Sequence, residues 1–226
     1  MWHLPFYFVI VTAVWLSACS HVATHFERGR WEPVRHTVKE LRDLHVVKQQ
    51  EDYSCGAAAL ATLLSYYFGE VTSEKEILDR LLKPLSHREK VVKKQRGFSL
   101  LDLKRVAEMK GYRAGGFKVT FSQLTQVKAP VMVFLEPHGY KHFAVYRGFD
   151  RGRVYLADPA RGNLRMSIGR FLDEWREIIF VLGRDGEEAI QEHPLSVPMS
   201  EYAQPELARF NGMIDIGFIL RSLPYR

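Results

Sequence analysis

The stretch that decides the fold is residues 47–64, "VKQQEDYSCGAAALATLL", where one cysteine separates a polar turn from an alanine-rich apolar run. Good helix formers continue to Gly69, which predicts a buried helix over about 55–68. Cys55 is the first residue of this helix. The positive end of a helix favours the nucleophilic thiolate, whereas a structural core cysteine gains nothing from this position. We therefore interpret Cys55 as a reactive nucleophile and not as an ordinary core residue.

A reactive cysteine needs a general base, and a histidine and a carboxylate follow downstream. Residues 130–163 contain three strand-like runs, over 131–135, 142–148 and 153–157. His142 begins the second strand and Asp158 directly follows the third. We expect residues 148–152, with a glycine at each end, to form a five-residue loop that places His142 directly opposite Asp158.

That register would let the carboxylate of Asp158 hold the tautomer of His142 and stabilise its protonated form. A slip of one residue would instead move the two side chains to opposite faces of the sheet. The alternative interpretation is an ordinary, partly exposed histidine followed by a common Asp-Pro turn. An oxyanion formed by thiol chemistry also needs an N–H donor, and the side-chain amides of Gln49 and Gln50 are both candidates.

Gln49, followed in order by "CGAAALATLL", "HFAVY" and "DPARG", resembles the C39 family of papain-like bacterial peptidases over about residues 44–183. The resemblance implies that Cys55 is the nucleophile, His142 the base, Asp158 the orienting acid and Gln49 the oxyanion donor. It also implies cleavage after two glycines. Ser54 departs from the family pattern, which has Asp directly before the cysteine.

The fold class that we expect is α+β, papain-like, with the Cys55 helix packed on an antiparallel sheet that carries His142 and Asp158. Periodicity and capping residues predict further helices over 73–83, 99–111 and 168–175, and strands over 112–119 and 177–184. The basic stretch "HREKVVKKQRG", residues 87–97, is either a lip over a substrate cleft or a solvated loop or helix end.

The N-terminus carries an apolar run, "FYFVIVTAVWL", that has the length of a signal-peptide core and is too short to span a bilayer. The following "LSAC" resembles the lipobox of bacterial lipoproteins, so Cys19 is the expected lipidation site. By the same resemblance Ser20 favours the outer membrane. An uncleaved N-terminal anchor with an incidental cysteine is the alternative, and both interpretations place the remaining chain outside the cytoplasm, in the periplasm.

These features predict four segments along the chain. They are a signal peptide over 1–18, a lipidated tether over 19–43, a peptidase domain over 44–184 and a C-terminal extension over 185–226 with one helix near 203–221. The length of 226 residues and the apolar content of 46% suit one buried core. We expect a monomer anchored to the membrane by its lipid, acting on a peptide or protein of the cell envelope.

Composition and motifs exclude several functions. The net charge of +6 favours anionic partners only weakly and does not identify nucleic acid. No P-loop motif is present, so ATP is not implied, in contrast to C39 domains fused to ABC transporters. His138 and His142 have the spacing of a helical metal pair, but proline and glycine beside His138 argue against a helix. We therefore expect neither a metal nor another cofactor.

The resemblance extends to free-standing, exported C39 peptidases that accompany secretion systems for functional amyloid or fimbriae. Two other functions are compatible with the same residues. One is a catalytically silent binding lipoprotein that acts as a chaperone for a secretion system. The other is an acyltransferase that uses the same thiol chemistry with an amine as the acceptor.

Overall fold

The structure is a computed structural model that describes residues 37–197. The predicted signal peptide, Cys19 and the helix near 203–221 lie outside these residues. Within the described range, none of the helices is both long enough and apolar enough to cross a membrane. The α-helices of this range are α1 (Val38–Asp43), α2 (Cys55–Tyr66), α3 (Glu74–Leu82), α4 (His87–Arg96), α5 (Leu100–Met109), α6 (Phe121–Thr125) and α7 (Ile168–Glu174).

The strands of the described range form one antiparallel sheet of six, in the order β1-β6-β2-β3-β4-β5. They are β1 (Arg113–Lys118), β2 (Val131–Leu135), β3 (His142–Asp150), β4 (Arg153–Asp158), β5 (Gly162–Ser167) and β6 (Trp175–Gly183). A short 3-10 turn, Pro137–Gly139, connects β2 to β3. Helices and an antiparallel sheet in this arrangement confirm the predicted α+β, papain-like fold.

The helix that carries Cys55 is buried in the described part of the chain. Every residue of α2 from Cys55 to Leu64 is buried, as its apolar sequence predicts. A β-carbon added to Gly56 would lie 3.0 Å from Leu103 of α5 and 3.2 Å from Phe143 of β3. The absence of a side chain at position 56 therefore lets the start of α2 approach the strand that begins with His142.

Sequence patterns predicted most of the elements of the described range, but helices α1, α4 and α6 and strand β5 were not predicted. Helices α3 and α5 begin directly after Ser73 and Ser99, whose hydroxyls accept N-cap hydrogen bonds. The basic stretch over 87–97 is a complete helix, α4, with its own capping box at Ser86. Strand β5 was also not predicted, because its short polar sequence, "GNLRMS", alternates only weakly.

The predicted five-residue loop between β3 and β4 is wrong. Asp150 pairs with Arg153, so only Arg151 and Gly152 form the turn. Both have positive φ, 45° and 72°, as a type I′ hairpin turn requires. Continued without interruption, this register would place His142 and Asp158 on opposite faces of the sheet.

A β-bulge in β3 returns His142 and Asp158 to the same face of the sheet. The register shifts between Tyr146 and Gly148, so that Val145 pairs with Ala157. Continuing that register places Asp158 across from Ala144, two residues from His142 on the same face. The two side chains are therefore diagonal neighbours. The expectation that they lie directly opposite each other is wrong, whereas the expectation that they share one face is confirmed.

The contact of β5 with α1 depends on Gly162, which pairs with Asp158 in the β4–β5 ladder. Its φ is +83°, and a β-carbon there would lie 2.5 Å from the Arg42 carbonyl oxygen. Gly162→Ala should therefore lower the free energy of unfolding by about 2–3 kcal/mol, measured by urea denaturation. Gly111→Ala is the matched control, because Gly111 has φ +84° but nothing within 4 Å. The free energy of unfolding of Gly111→Ala should fall by only about 1 kcal/mol. Equal falls for the two variants would contradict the clash between a β-carbon at position 162 and the Arg42 carbonyl.

Candidate active site

Three side chains predicted from the sequence meet at one end of the sheet. Cys55 is the first residue of α2 and is 8% exposed, and His142 is the first residue of β3 and is 7% exposed. Asp158 is the last residue of β4 and is fully buried. His142 Nε2 lies 3.0 Å from Asp158 Oδ2. Cys55 also interacts with this ring and, like Asp158, raises the pKa of His142.

The electrostatics of His142 favour its protonated form. Burial of the ring lowers the pKa of His142, but the hydrogen bonds and charges of Asp158 and Cys55 outweigh burial and raise it to about 9. The imidazole therefore holds a proton at neutral pH. A protonated ring between a carboxylate and a sulfur atom is the arrangement that stabilises a thiolate and later supplies a proton.

The carboxylate of Asp158 is held by the turn that follows it. Oδ1 accepts from the backbone N–H groups of Ala160 and Arg161, at 2.8 and 2.9 Å. Oδ2 accepts from Arg161 Nε at 2.9 Å, in addition to its contact with His142. Burial raises the pKa of Asp158, but the contact with His142 and the charge of Arg161 outweigh it, and the pKa is about 2. The Asp-Pro turn and the histidine contact therefore involve the same carboxylate.

Arg161 was missed in the sequence, although it belongs to the "DPARG" motif. Its Nη2 lies 2.8 Å from Asp158 Oδ2 and 3.8 Å from Glu174 Oε2. The guanidinium thus bridges the candidate site to helix α7. Its position three residues after the aspartate of the Asp-Pro turn was the available signal.

Gln49 lies beside the same turn. Its backbone N–H donates to the Pro159 carbonyl at 3.1 Å, and its side-chain amide donates to the Glu51 carbonyl at 3.0 Å. Its Oε1 is buried without a hydrogen-bond partner in the described part of the chain. Gln50, the other candidate, has an exposed side chain that reaches back to the Lys48 carbonyl. The oxyanion role of Gln49 stays a prediction, because the amide has another partner here.

A buried carboxylate that was not predicted supports the turn before Cys55. Glu74 is 5% exposed, and Ser54 is fully buried. The Ser54 hydroxyl hydrogen-bonds the Glu74 carboxylate, and the Gln50 N–H donates to the same Oε1 at 2.9 Å. Glu74 therefore holds both ends of the segment that joins the two glutamines to Cys55. No local pattern indicates a contact between residues 54 and 74, which lie on different helices or their caps.

Two cavities meet at Cys55. One, of about 490 Å³, has an aromatic and aliphatic wall formed by Phe98, Leu100, Phe134, Phe143 and Ile178. The other, of about 640 Å³, is lined by the end of α4 and by the loop before His142. Within residues 37–197 no group of three or more His, Cys, Asp or Glu side chains is placed to hold a metal ion. Cys55 thus lines both cavities.

The fold is that of the papain-like peptidases, and Cys55, His142 and Asp158 lie together at one end of its sheet. The sequence model described as the Peptidase C39 family matches residues 43–186, and the chain belongs to this family.

Similar proteins agree with this assignment. The chain is 35% identical over 189 residues to the "Probable functional amyloid protease FapD" of Pseudomonas aeruginosa, covering 81% of each chain. It is 36% identical to the protein of the same name from Pseudomonas fluorescens, with the same coverage. Among solved structures, the peptidase domain of Streptococcus ComA, a bifunctional ABC transporter, matches with a TM-score of 0.53 and 20% identity. That match covers 62% of this chain and 98% of the ComA chain, and it supports the fold.

The raised pKa of His142 predicts a pH-dependent stability. Protonated His142 stabilises the folded state. This contribution to stability is fully present below the ordinary histidine pKa of 6.5, and it is lost as the pH rises through about 9. The difference in unfolding free energy between wild type and His142→Gln should shrink by on the order of 2 kcal/mol between pH 6 and pH 10. His193→Gln should show no such loss, because burial and Arg147 lower the pKa of His193. A difference for His142→Gln that is constant with pH would contradict the account.

Glu74 provides a test of the support behind Cys55. Glu74→Leu leaves the Gln50 N–H without its acceptor and removes one partner of the buried Ser54 hydroxyl. The free energy of unfolding should fall by about 2–3 kcal/mol in urea titrations. Glu74→Gln keeps an acceptor oxygen, so its free energy of unfolding should fall by only about 1 kcal/mol. If both variants match the wild type, the carboxylate does not support this turn.

Proposed function

We propose that the protein is an exported cysteine endopeptidase that hydrolyses a peptide bond in a secreted or envelope protein. The single observation that carries this proposal is the contact of one buried imidazole, that of His142, with both Asp158 and the Cys55 thiol. Membership of the Peptidase C39 family supports the same chemistry.

In the proposed mechanism, the Cys55 thiolate attacks the carbonyl carbon of the scissile bond. The carbonyl oxygen becomes an oxyanion, which the backbone N–H of Cys55 and the side-chain amide of Gln49 stabilise. For this step the amide must exchange its contact with the Glu51 carbonyl for the oxyanion. Protonated His142 then gives its proton to the leaving amine as the carbon–nitrogen bond breaks, and an acyl-enzyme remains.

Deacylation uses the same groups in reverse. Neutral His142 takes a proton from water, and the resulting hydroxide attacks the acyl carbon. The thiolate leaves, the imidazolium forms again, and the peptide acid is released. Asp158 keeps Nδ1 of His142 directed at the sulfur throughout, because Arg161 and two backbone N–H groups fix its carboxylate.

The proposed substrate is an exported protein cut after small residues, of the Gly-Gly type. The names of the two Pseudomonas relatives support a protein of a functional amyloid system as the substrate. The apolar run over residues 6–16 and the cysteine that follows it support a lipoprotein anchored through Cys19 on the periplasmic side of the outer membrane.

Thiol labelling tests the proposed nucleophile. In a chain with Cys19→Ser, the Cys55 thiol should react with iodoacetamide at pH 7 at least tenfold faster than glutathione, because His142 stabilises the thiolate. His142→Ala should slow labelling about tenfold or more, whereas His193→Ala should not. Equal, slow rates in all variants would favour a binding protein over an enzyme.

Peptidase activity is tested by detecting the new chain ends that cleavage creates. Wild type and Cys55→Ser are incubated with recombinant secreted amyloid subunits, and the products are analysed by mass spectrometry. The wild type should generate a new C-terminus after small residues that Cys55→Ser does not generate. Products joined to an amine in place of water would identify an acyltransferase.

A further inference from the structure

Two separate elements bring positive charge to the opening above Cys55. Lys94 and Arg96 come from the last turn of α4, and Lys141 comes from the loop directly before His142. All three are exposed, and all three line the 640 Å³ cavity that also contains Cys55. We call these three residues the basic rim.

The charges of the basic rim are not neutralised by neighbours. In the described part of the chain, Lys94, Arg96 and Lys141 form no ion pair with an acidic side chain, whereas the preceding Lys93 pairs with Asp102. Asp52 is the one acidic residue among those lining this cavity. The cavity around the thiol therefore carries a net positive charge.

Helix stability does not account for this arrangement. Basic residues are favourable at the C-terminus of a helix, which explains a preference for Lys94 and Arg96 at the end of α4. Lys141 lies outside any helix, yet it faces the same cavity. Some basic residues on other helices have acidic partners, such as Lys75 with Asp79 and Lys104 with Glu108.

The neighbouring cavity has a more apolar wall. It shares Cys55, Arg96 and Lys141 with the first cavity, but its wall is aromatic and aliphatic. A polypeptide that passes over the thiol would therefore have an apolar surface on one side of the scissile bond. On the other side it would meet Lys94, and Arg96 and Lys141 border both cavities.

We propose that the basic rim selects substrates that carry Asp or Glu side chains within a few residues of the cleaved bond. This specificity rests on the proposed peptidase function, because it assigns the ligand of the same cleft. The carboxylates would pair with Lys94, Arg96 and Lys141 at the rim, in competition with water and salt. The substrate class is thus an extended acidic peptide segment with a small-residue cleavage site.

The test measures binding without cleavage, so its outcome does not depend on turnover. The protein is the Cys55→Ala variant, and the probes are two twelve-residue peptides with a central Gly-Gly, labelled with an uncharged fluorophore. One peptide has two Glu residues on each side of the glycines, and the other has Gln at the same four positions. Fluorescence anisotropy should show about tenfold tighter binding of the Glu peptide at low salt. The preference should weaken at 0.5 M salt.

Charge reversal then locates the contact. Lys94→Glu/Arg96→Glu, made in the Cys55→Ala chain, should abolish the preference for the Glu peptide. The control, Arg88→Glu/Lys90→Glu, changes the net charge equally on the same helix at residues that do not line either cavity. It should retain at least half of the preference.

Equal binding of the two peptides, no binding of either, or equal effects of the two double variants would overturn the basic rim as a specificity determinant. None of these results bears on whether Cys55 is a nucleophile, which labelling and product analysis decide. Conversely, an unreactive Cys55 with an intact preference for the Glu peptide would overturn the peptidase proposal and leave the rim as an acidic-peptide binding surface.

Discussion

The buried contact between His142 and Asp158 is the constraint on which the candidate site depends. A buried imidazolium or carboxylate is costly alone, and each becomes tolerable only when the other is present and fully hydrogen-bonded. Asp158 is completely buried, yet its two oxygens accept hydrogen bonds from His142, from Arg161 and from two backbone N–H groups. This shell keeps the acid ionised and the histidine protonated.

Several elements must be placed correctly for that contact to form. The start of α2 reaches His142 because Gly56 leaves room against Phe143. The hairpin returns Asp158 to the right face because a bulge corrects the odd register of its two-residue turn. Glu74, from a neighbouring helix, holds the segment before Cys55. The chemistry at one sulfur atom thus depends on packing contributed by helices and strands far apart in the chain.

Local patterns predicted most of the elements but not their long-range contacts. The mostly apolar sequence of α2 predicted a buried helix, and the strand-like sequences of β3 and β4 predicted strands at whose ends His142 and Asp158 lie. The bulge could not be predicted, because Arg147 is held by the Leu195 carbonyl at 2.9 Å and by the Asn163 side chain, both outside the hairpin. Two glycines flanking the turn also suggested a longer loop than the chain uses.

The protonation state of His142 tests the central claim most directly. A pH titration of its ring by NMR in the wild type should give a pKa of about 9. Replacement of Asp158 by Asn, or of Cys55 by Ala, should move that pKa downward, since each removes a partner that favours the imidazolium. An ordinary histidine titration in the wild type, unaffected by either replacement, would contradict the existence of a working thiol–imidazole–carboxylate array.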